Sequence, residues 1–346
     1  MQSPKNTYVI TPVILNILIC YLLLAPLAVS AELKLESVYP NAGVLDQNMT
    51  VTLTGTGFDE NTRVSMLPDV GNRKAIIGTA DTSGGARGIA IADSTAYIAD
   101  GKNGLQIFDI RNPETPSLIE SADTPGEAID IAVSNGMAYI ADGTHGLQVI
   151  DLSGPSLISS LDTPGYAQGI TIADTTAYIA DGEKGVQIID ISDPKKPSLI
   201  RSVDTPGEAY EVAVRNQTAY VADYYGGIQA INLDDGSVRT VNSRIDKACG
   251  ITISGDIAYV TDHFNGLYII DMNDPSSILG SVDTNANTYA VSVADQSVFV
   301  ADYMGVKVID VSNPSHPEIR WMVKTPGPAL DIRVIGKNAY TANGIP

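Results

Sequence analysis

The sequence predicts an all-β fold, a seven-bladed propeller of four-stranded antiparallel blades, and three observations carry that prediction. The stretch TAYIADGKNGLQIFDI at 95–110 returns as MAYIADGTHGLQVIDL at 137–152, TAYIADGEKGVQIIDI at 176–191, TAYVADYYGGIQAINL at 218–233, IAYVTDHFNGLYIIDM at 257–272 and SVFVADYMGVKVIDV at 297–311, with a clipped NAYTANGIP at 338–346. A turn before each copy marks the period: Thr82, Thr124, Thr163, Thr205, Arg244, Thr284 and Thr325 follow one another at steps of 39 to 42 residues. Each period holds short apolar segments separated by Gly, Pro, Asn and Asp, the pattern of a propeller blade. Helical repeats of this length need apolar residues at i, i+3 and i+4, whereas these segments alternate or run as β-branched stretches, so helices are excluded.

The third unit shows the elements in order, with strand A at 169–173, B at 176–180, C at 186–191 and D at 198–204. Strands that run up and down put alternate loops on opposite faces. The D-to-A turn (DTPG, 162–165) and the B-to-C turn (DGEKG, 181–185) therefore share one face, and the A-to-B and C-to-D turns share the other. In DTPG the proline pre-sets φ at one central turn position and the glycine accepts φ > 0 at the next, which predicts a type II turn. One aromatic per unit, Tyr97, Tyr139, Tyr178, Tyr220, Tyr259, Phe299 and Tyr340, is placed to pack between neighbouring blades.

Residues 1–31 carry one charge, Lys5, ahead of an apolar run at 8–29, and Val29, Ser30 and Ala31 put small residues before Glu32. This is the pattern of a secretory signal peptide; its rival is an uncleaved anchor, because the run approaches the ~20 residues that span a bilayer. Removing 1–31 leaves Cys249 as the only cysteine, so no internal disulfide is available. Residues 33–66 have no copy downstream. Their Pro40-Asn41-Ala42-Gly43 turn, the strand MTVTLTGTGF and a turn into TRVSM resemble the start of an IPT/TIG immunoglobulin-like domain, about half of one. The expected plan is a signal peptide at 1–31, a partial IPT/TIG-like β segment at 32–72 and the propeller at 73–346.

Closure of the ring needs strands from both ends of the chain. Six units are complete, and the seventh supplies only strand A at 329–335 and strand B at 338–342. The segment KAIIGTA at 74–80 has the character of a D strand, and 62–67 that of a C strand. The expected ring therefore closes its last blade with N-terminal strands and leaves no open edge. An open arc is the alternative.

The strand-C segments LQIFD, LQVID, VQIID, IQAIN, LYIID and VKVID stand at constant offsets from AY[IV]AD and DTPG. They resemble the LVIVD repeat found in bacterial and archaeal cell-surface proteins, over residues 74–346. Ala230, Ile231 and Asn232, and the clipped last unit, depart from the pattern. The resemblance implies a β-propeller on an exported protein, and it brings no catalytic residues with it.

Forty acidic residues against 21 basic ones give a net charge of −19, which repels nucleic acid and anionic membranes and keeps the surface soluble. His145, His263 and His316 do not share one repeat offset, poor material for a metal site, and HExxH, GxSxG and P-loop motifs are absent. Cys249 stands in a strand A, where it reads as a small hydrophobe. Two acidic columns remain. Asp100, Asp142, Asp181, Asp223, Asp262 and Asp302 end each strand B and are expected to cap their own hairpins. The column Gly88, Asp130, Gly169, Glu211, Gly250, Ala290, Asp331 would gather Asp130, Glu211 and Asp331 at the channel mouth, with oxygens suited to Ca²⁺ and Arg87 as a competing partner. No other cofactor is expected. The function this composition favours is a non-catalytic binding or scaffold module, extracellular, at the cell surface or periplasmic. Its partner would be an extracellular protein or polysaccharide, with no nucleic acid and no membrane insertion after signal cleavage. The alternatives are a propeller hydrolase or dehydrogenase with its site on the DTPG face, and a purely structural envelope protein.

Overall fold

The computed structural model describes residues 76–344 apart from 83, together with the backbone of four short N-terminal strands. The chain forms two compact units, Met1–Ala75 and Ile76–Pro346. In the first, Leu18–Tyr21 pairs antiparallel with Ser65–Pro68, and Lys34–Tyr39 with Thr52–Thr56. Apart from Leu18–Tyr21, the expected signal peptide and its cleavage site lie outside the described residues.

The second unit contains six four-stranded antiparallel sheets, each with its strands hydrogen-bonded in chain order. In the third, Gly169–Ala173, Thr176–Ala180, Val186–Asp190 and Ser198–Val203 pair in that order, within a residue of the strands expected there. The A strands stand side by side around the axis, so they are innermost and the D strands form the rim. The sequence explains this layering. Strands B and C carry apolar residues on both faces, as TAYIA and VQIID do, and nearly all of these are buried. Strand D is exposed on the rim, with Leu118, Ile119, Leu199 and Ile200 open to solvent. Between blades lies a continuous apolar seam: Tyr139 packs with Ile170 and Ile179 of the next unit, and Tyr220 with Ile251 and Val260 of its successor. Tyr340 closes the series against Ile89, Ile98 and Phe108, so the aromatic column is core. Each such isoleucine or tyrosine contributes about 1.5–3 kcal/mol by leaving water, and that sum, with no disulfide, is what holds the ring.

The ring has six four-stranded blades and not the seven expected. Ala329–Ile335 and Asn338–Asn343 form a sheet of two strands only, and among the described residues no N-terminal strand completes it. Ser65–Pro68, at the expected C strand, pairs with Leu18–Tyr21, and residues 76–82 form no strand. The reason is visible around Gly78. A Cβ there would meet Pro113 and Glu114 of the first blade, as one on Gly280 of the fifth blade's D strand would meet Pro314 of the sixth. Residues near 78 thus lie where a D strand would, but no strand C stands between them and Asn338–Asn343, so they have no ladder to join. Ala339 is exposed for the same reason, whereas its counterparts Ala138, Ala177 and Ala219 are fully buried. The two-stranded sheet nevertheless fills the inner part of its sector, with Ala329–Ile335 lying beside both Thr288–Ala294 and Gly88–Ala92. Ile89 N–H donates to Asp331 Oδ2 at 2.9 Å across that last junction.

Candidate functional site

The D-to-A and B-to-C turns do share a face, and buried aspartates tie them together. Thr124 and Thr163 donate through Oγ1 to Asp142 and Asp181, both at 2.7 Å, and Thr82 and Thr205 do the same to Asp100 and Asp223 at 2.5 Å. The second carboxylate oxygen accepts the N–H of Gly126, Gly165 and Gly207 at 2.8, 2.9 and 2.9 Å. These aspartates are fully buried. Burial pushes their pKa upward, and the threonine and glycine donors only partly oppose it. In the first four units, then, the aspartate binds the turn that enters its unit; Asp262 divides between its own hairpin, through Phe264 N, and the entering turn, through Lys247 N, and Asp302 serves its own hairpin through Met304 N.

The DTPG glycines are not in the left-handed region, which corrects the type II expectation. Glycine is required there for space instead. A Cβ on Gly165 or Gly207 would drive into the carbonyl oxygen of Asp181 or Asp223.

The acidic column of strand A sits as the register implied, but its carboxylates serve the ring itself. An innermost strand has one edge without a sheet partner, and N–H groups on that edge need acceptors. Asp130 takes Ile131 N at 2.8 Å and reaches the next blade's Ile170 N at 2.9 Å. Glu211 takes Ile251 N at 2.7 Å, and Asp331 takes Ile332 N at 2.7 Å besides Ile89. The glycines of the column are the complement of these latches: a Cβ on Gly88 would come within 2.7 Å of Asp130 Cα, and one on Gly169 within 3.3 Å of Glu211 Cα. Among the described residues no group of three or more His, Cys, Asp or Glu is arranged to hold a metal ion. The positive charge facing Asp130, Glu211 and Asp331 is Arg333, whose Nη1 lies 2.6 Å from Asp331 Oδ1. Arg87, the partner expected from sequence, pairs instead with Glu127 at 2.6 Å. Burial raises Asp130 to about 6, with Asp331 adding and Arg333 opposing, and it raises Glu211 to about 8 against the pull of Arg333. Burial works against the charge on Arg333, but the three acids outweigh it and raise its pKa.

One sector of the face is built differently. In units one to three the B-to-C turns are DGKNG, DGTHG and DGEKG, and in units four to six they are DYYGG, DHFNG and DYMG. That change of composition was readable from sequence, and it places Tyr224, Tyr225, His263, Phe264, Tyr303 and Met304 on one side of the ring. Tyr210 and Tyr289, from the starts of strands A, join them. Tyr210 stacks on Tyr224 with centroids 5.0 Å apart, Tyr224 meets Tyr225 edge-on at 4.7 Å, and His263 bridges Tyr224, Phe264 and Tyr289 at 6.2, 4.8 and 5.4 Å. The result is a chain of six rings across three units. Tyr225, Phe264 and Tyr303 are more than half exposed, at 62%, 53% and 56%.

Two further features mark the sector. Tyr224 has φ of 40°, in the position that Gly101, Gly143 and Gly182 occupy in the first three units. A bulky side chain held there costs on the order of 1–3 kcal/mol, strain that concentrates at functional sites. Lys247 Nζ lies over three rings, 4.1 Å from the centroid of Tyr225, 5.1 Å from Tyr224 and 5.4 Å from Phe264. On the opposite side of the same face the groups are polar: Glu127 accepts from Arg87 and, at 2.9 Å, from Tyr166 OH. His145 and His316 take no part in the aromatic sector, and Cys249 is buried beneath it with its thiol pushed up to about 12 by burial.

Comparison with known proteins adds the lineage. The LVIVD repeat family model matches residues 83–124, 125–162, 164–205, 246–284 and 287–325. The unmatched stretch between 205 and 246 contains the fourth unit, where IQAIN and Arg244 depart from the repeat. Matches begin at residue 83, and nothing supports the IPT/TIG resemblance of the N-terminal segment. A search of curated proteins found no match. Among solved structures, the chain is similar to BamB from Moraxella catarrhalis, at 16% identity over 77% of this chain and 83% of that one, with a TM-score of 0.54. It is also similar to the WD40 β-propeller domain of Doa1, at 10% identity over 77% and 91% of the two chains with a TM-score of 0.66. A third likeness is to the computationally designed Ika8 protein, at 10% identity over 77% and 83% with a TM-score of 0.59. At these identities the likeness concerns the fold.

Proposed function

Because the chain belongs to the LVIVD repeat family, we propose that it is a non-catalytic binding module, working outside the cytoplasm, that recognises a protein partner through the aromatic sector of units four to six. The observation that carries this is the chain of six rings, anchored at its base and open at Tyr225 and Phe264, with the exposed Tyr303 on the turn of the next unit. Tyrosine and phenylalanine held by neighbours lose little rotamer entropy on binding and dominate interface energetics. Phe264 and Met304 bring no hydroxyl, which favours a protein surface over a glycan. A binding role is also favoured over catalysis by the fate of the acids: Asp130, Glu211 and Asp331 are committed to backbone N–H groups and to Arg333, and the hairpin aspartates to turns. The setting outside the cytoplasm rests on the apolar run at 8–29 followed by small residues, and on the cell-surface proteins in which this repeat occurs.

The test is affinity capture from the producing cells' envelope fraction with three baits: the wild-type chain, a Tyr225→Ala/Phe264→Ala/Tyr303→Ala variant, and a Leu118→Ser/Leu199→Ser variant altered on the rim. The proposal expects protease-sensitive material held by wild type and the rim variant and lost from the aromatic variant. Equal capture by all three baits would overturn it, and material resistant to protease but removed by glycosidase would replace protein with glycan.

A further inference from the structure

The aromatic sector contains a smaller device. The ammonium of Lys247 is enclosed by Tyr224, Tyr225 and Phe264, and no carboxylate of the described residues lies within ion-pairing distance of it. Among the described residues it is the rings that hold the charge, through the negative faces of their π systems. Two of the three, Tyr225 and Phe264, are more than half exposed, so the enclosure opens outward. Lys247 enters it from the turn RIDKACG, which replaces DTPG in the fifth unit and has neither its proline nor its turn glycine. The backbone of that residue is fixed to the hairpin, its N–H donating to Asp262 Oδ2 at 3.2 Å and its carbonyl accepting from His263 N at 2.9 Å. The ammonium itself rides on a flexible four-carbon stem.

We propose that Tyr224, Tyr225 and Phe264 form a cation-accepting cage that Lys247 occupies in the free protein, and that a lysine or arginine side chain of the partner displaces Lys247 on binding. This rests on the binding role proposed above and names the chemistry of the partner. The charge balance supports the choice of a basic partner: a chain with net charge −19 draws basic surfaces in and repels acidic ones. The cost of displacement is small. A cation over rings at an exposed site is worth about 0.5–1 kcal/mol, so emptying the cage weakens an incoming cation by about two- to fivefold. Lys247 thus keeps the rings covered without barring the site.

The experiment uses the full chain labelled with 4-fluorophenylalanine. The sequence has four phenylalanines, and Phe264→Leu identifies the resonance of interest. Tetramethylammonium chloride is titrated into wild type, Lys247→Gln and Lys247→Met, with sodium chloride at matched ionic strength as the reference. The expected result is a saturable shift of the Phe264 signal in both Lys247 variants. Wild type should need about two to five times more tetramethylammonium, and Tyr225→Ala in the Lys247→Gln background should abolish the response. Identical titrations of wild type and both variants, or a response equal to that of sodium chloride, would overturn the cage. The two proposals fail separately: a partner captured through the aromatic sector with no tetramethylammonium response removes the cage alone, and a cage response with capture insensitive to the aromatic variant removes the partner reading alone.

Discussion

Replacing Glu211 by glutamine flattens the dependence of stability on pH between about 4.5 and 8. The carboxyl group has an ordinary pKa of 4.5 and is raised to about 8 in the fold, by burial first, with Arg333 opposing and Asp130 and Asp331 adding. Between those values the folded chain holds a proton that the unfolded chain has released. Its contribution is fully present below about 4.5 and is lost as pH rises toward 8, at about 1.4 kcal/mol per pH unit. The full window would give about 4–5 kcal/mol, but Glu211 is partly exposed to the channel, and solvent there reduces the figure to ~2 kcal/mol. Glutamine keeps an oxygen to accept the Ile251 N–H, 2.7 Å from the carboxylate in wild type. It removes the titration without removing the latch. Asp130, Asp331 and Arg333 remain in both proteins. The assay is denaturant unfolding of both proteins at about pH 5, 6, 7 and 8, with wild type losing ~2 kcal/mol more than Glu211→Gln across the series. Parallel curves, or a wild type that gains on the variant as pH rises, would refute the reasoning.

Three more outcomes follow from the same geometry. Gly207→Ala drives a methyl into the Asp223 carbonyl oxygen and should lose about 1–3 kcal/mol, whereas Gly154→Ala, with nothing within 4 Å of the added Cβ, should be neutral or slightly stabilising in thermal melts. Asp181→Ala strands the donors of Thr163 and Gly165 in a buried turn and should cost about 2–4 kcal/mol by denaturant unfolding, while Asp193→Ala on an exposed turn should cost less than about 1. Cys249, buried and with its thiol pushed up to about 12, should ignore a thiol reagent in the native protein at neutral pH and react fully once denaturant is added; native labelling at the rate of a free thiol would contradict the burial.

The blade was legible because its signals are local and repeated. The strand pattern of residues 169–204, the shared face of DTPG and DGEKG, and the aromatic of each strand B follow from alternation and turn chemistry, and the structure places them as expected. What failed depended on single interactions with no repeat to average over. The DTPG glycine looked like a left-handed turn residue, but the approach of a carbonyl from a turn 16 residues away decides its identity. KAIIGTA looked like a D strand, yet a D strand exists only when a C strand lies beside it. Arg333, the counter-charge to the channel acids, belongs to one unit alone and has no column to announce it. The aromatic sector was in plain sight in DYYGG, DHFNG and DYMG; those residues look unremarkable one by one, and only the face shared by successive B-to-C turns makes them neighbours.

The account turns on one side of one face doing the recognising, and site-specific photo-cross-linking tests that most directly. A photoreactive phenylalanine analogue is placed at Tyr225 in one preparation and at Lys102 in another, the equivalent B-to-C turn of the first unit, and both are irradiated in the producing cells. The account predicts a discrete protein adduct from position 225 and none from position 102. Adducts of equal yield from both positions, or from 102 alone, would contradict it.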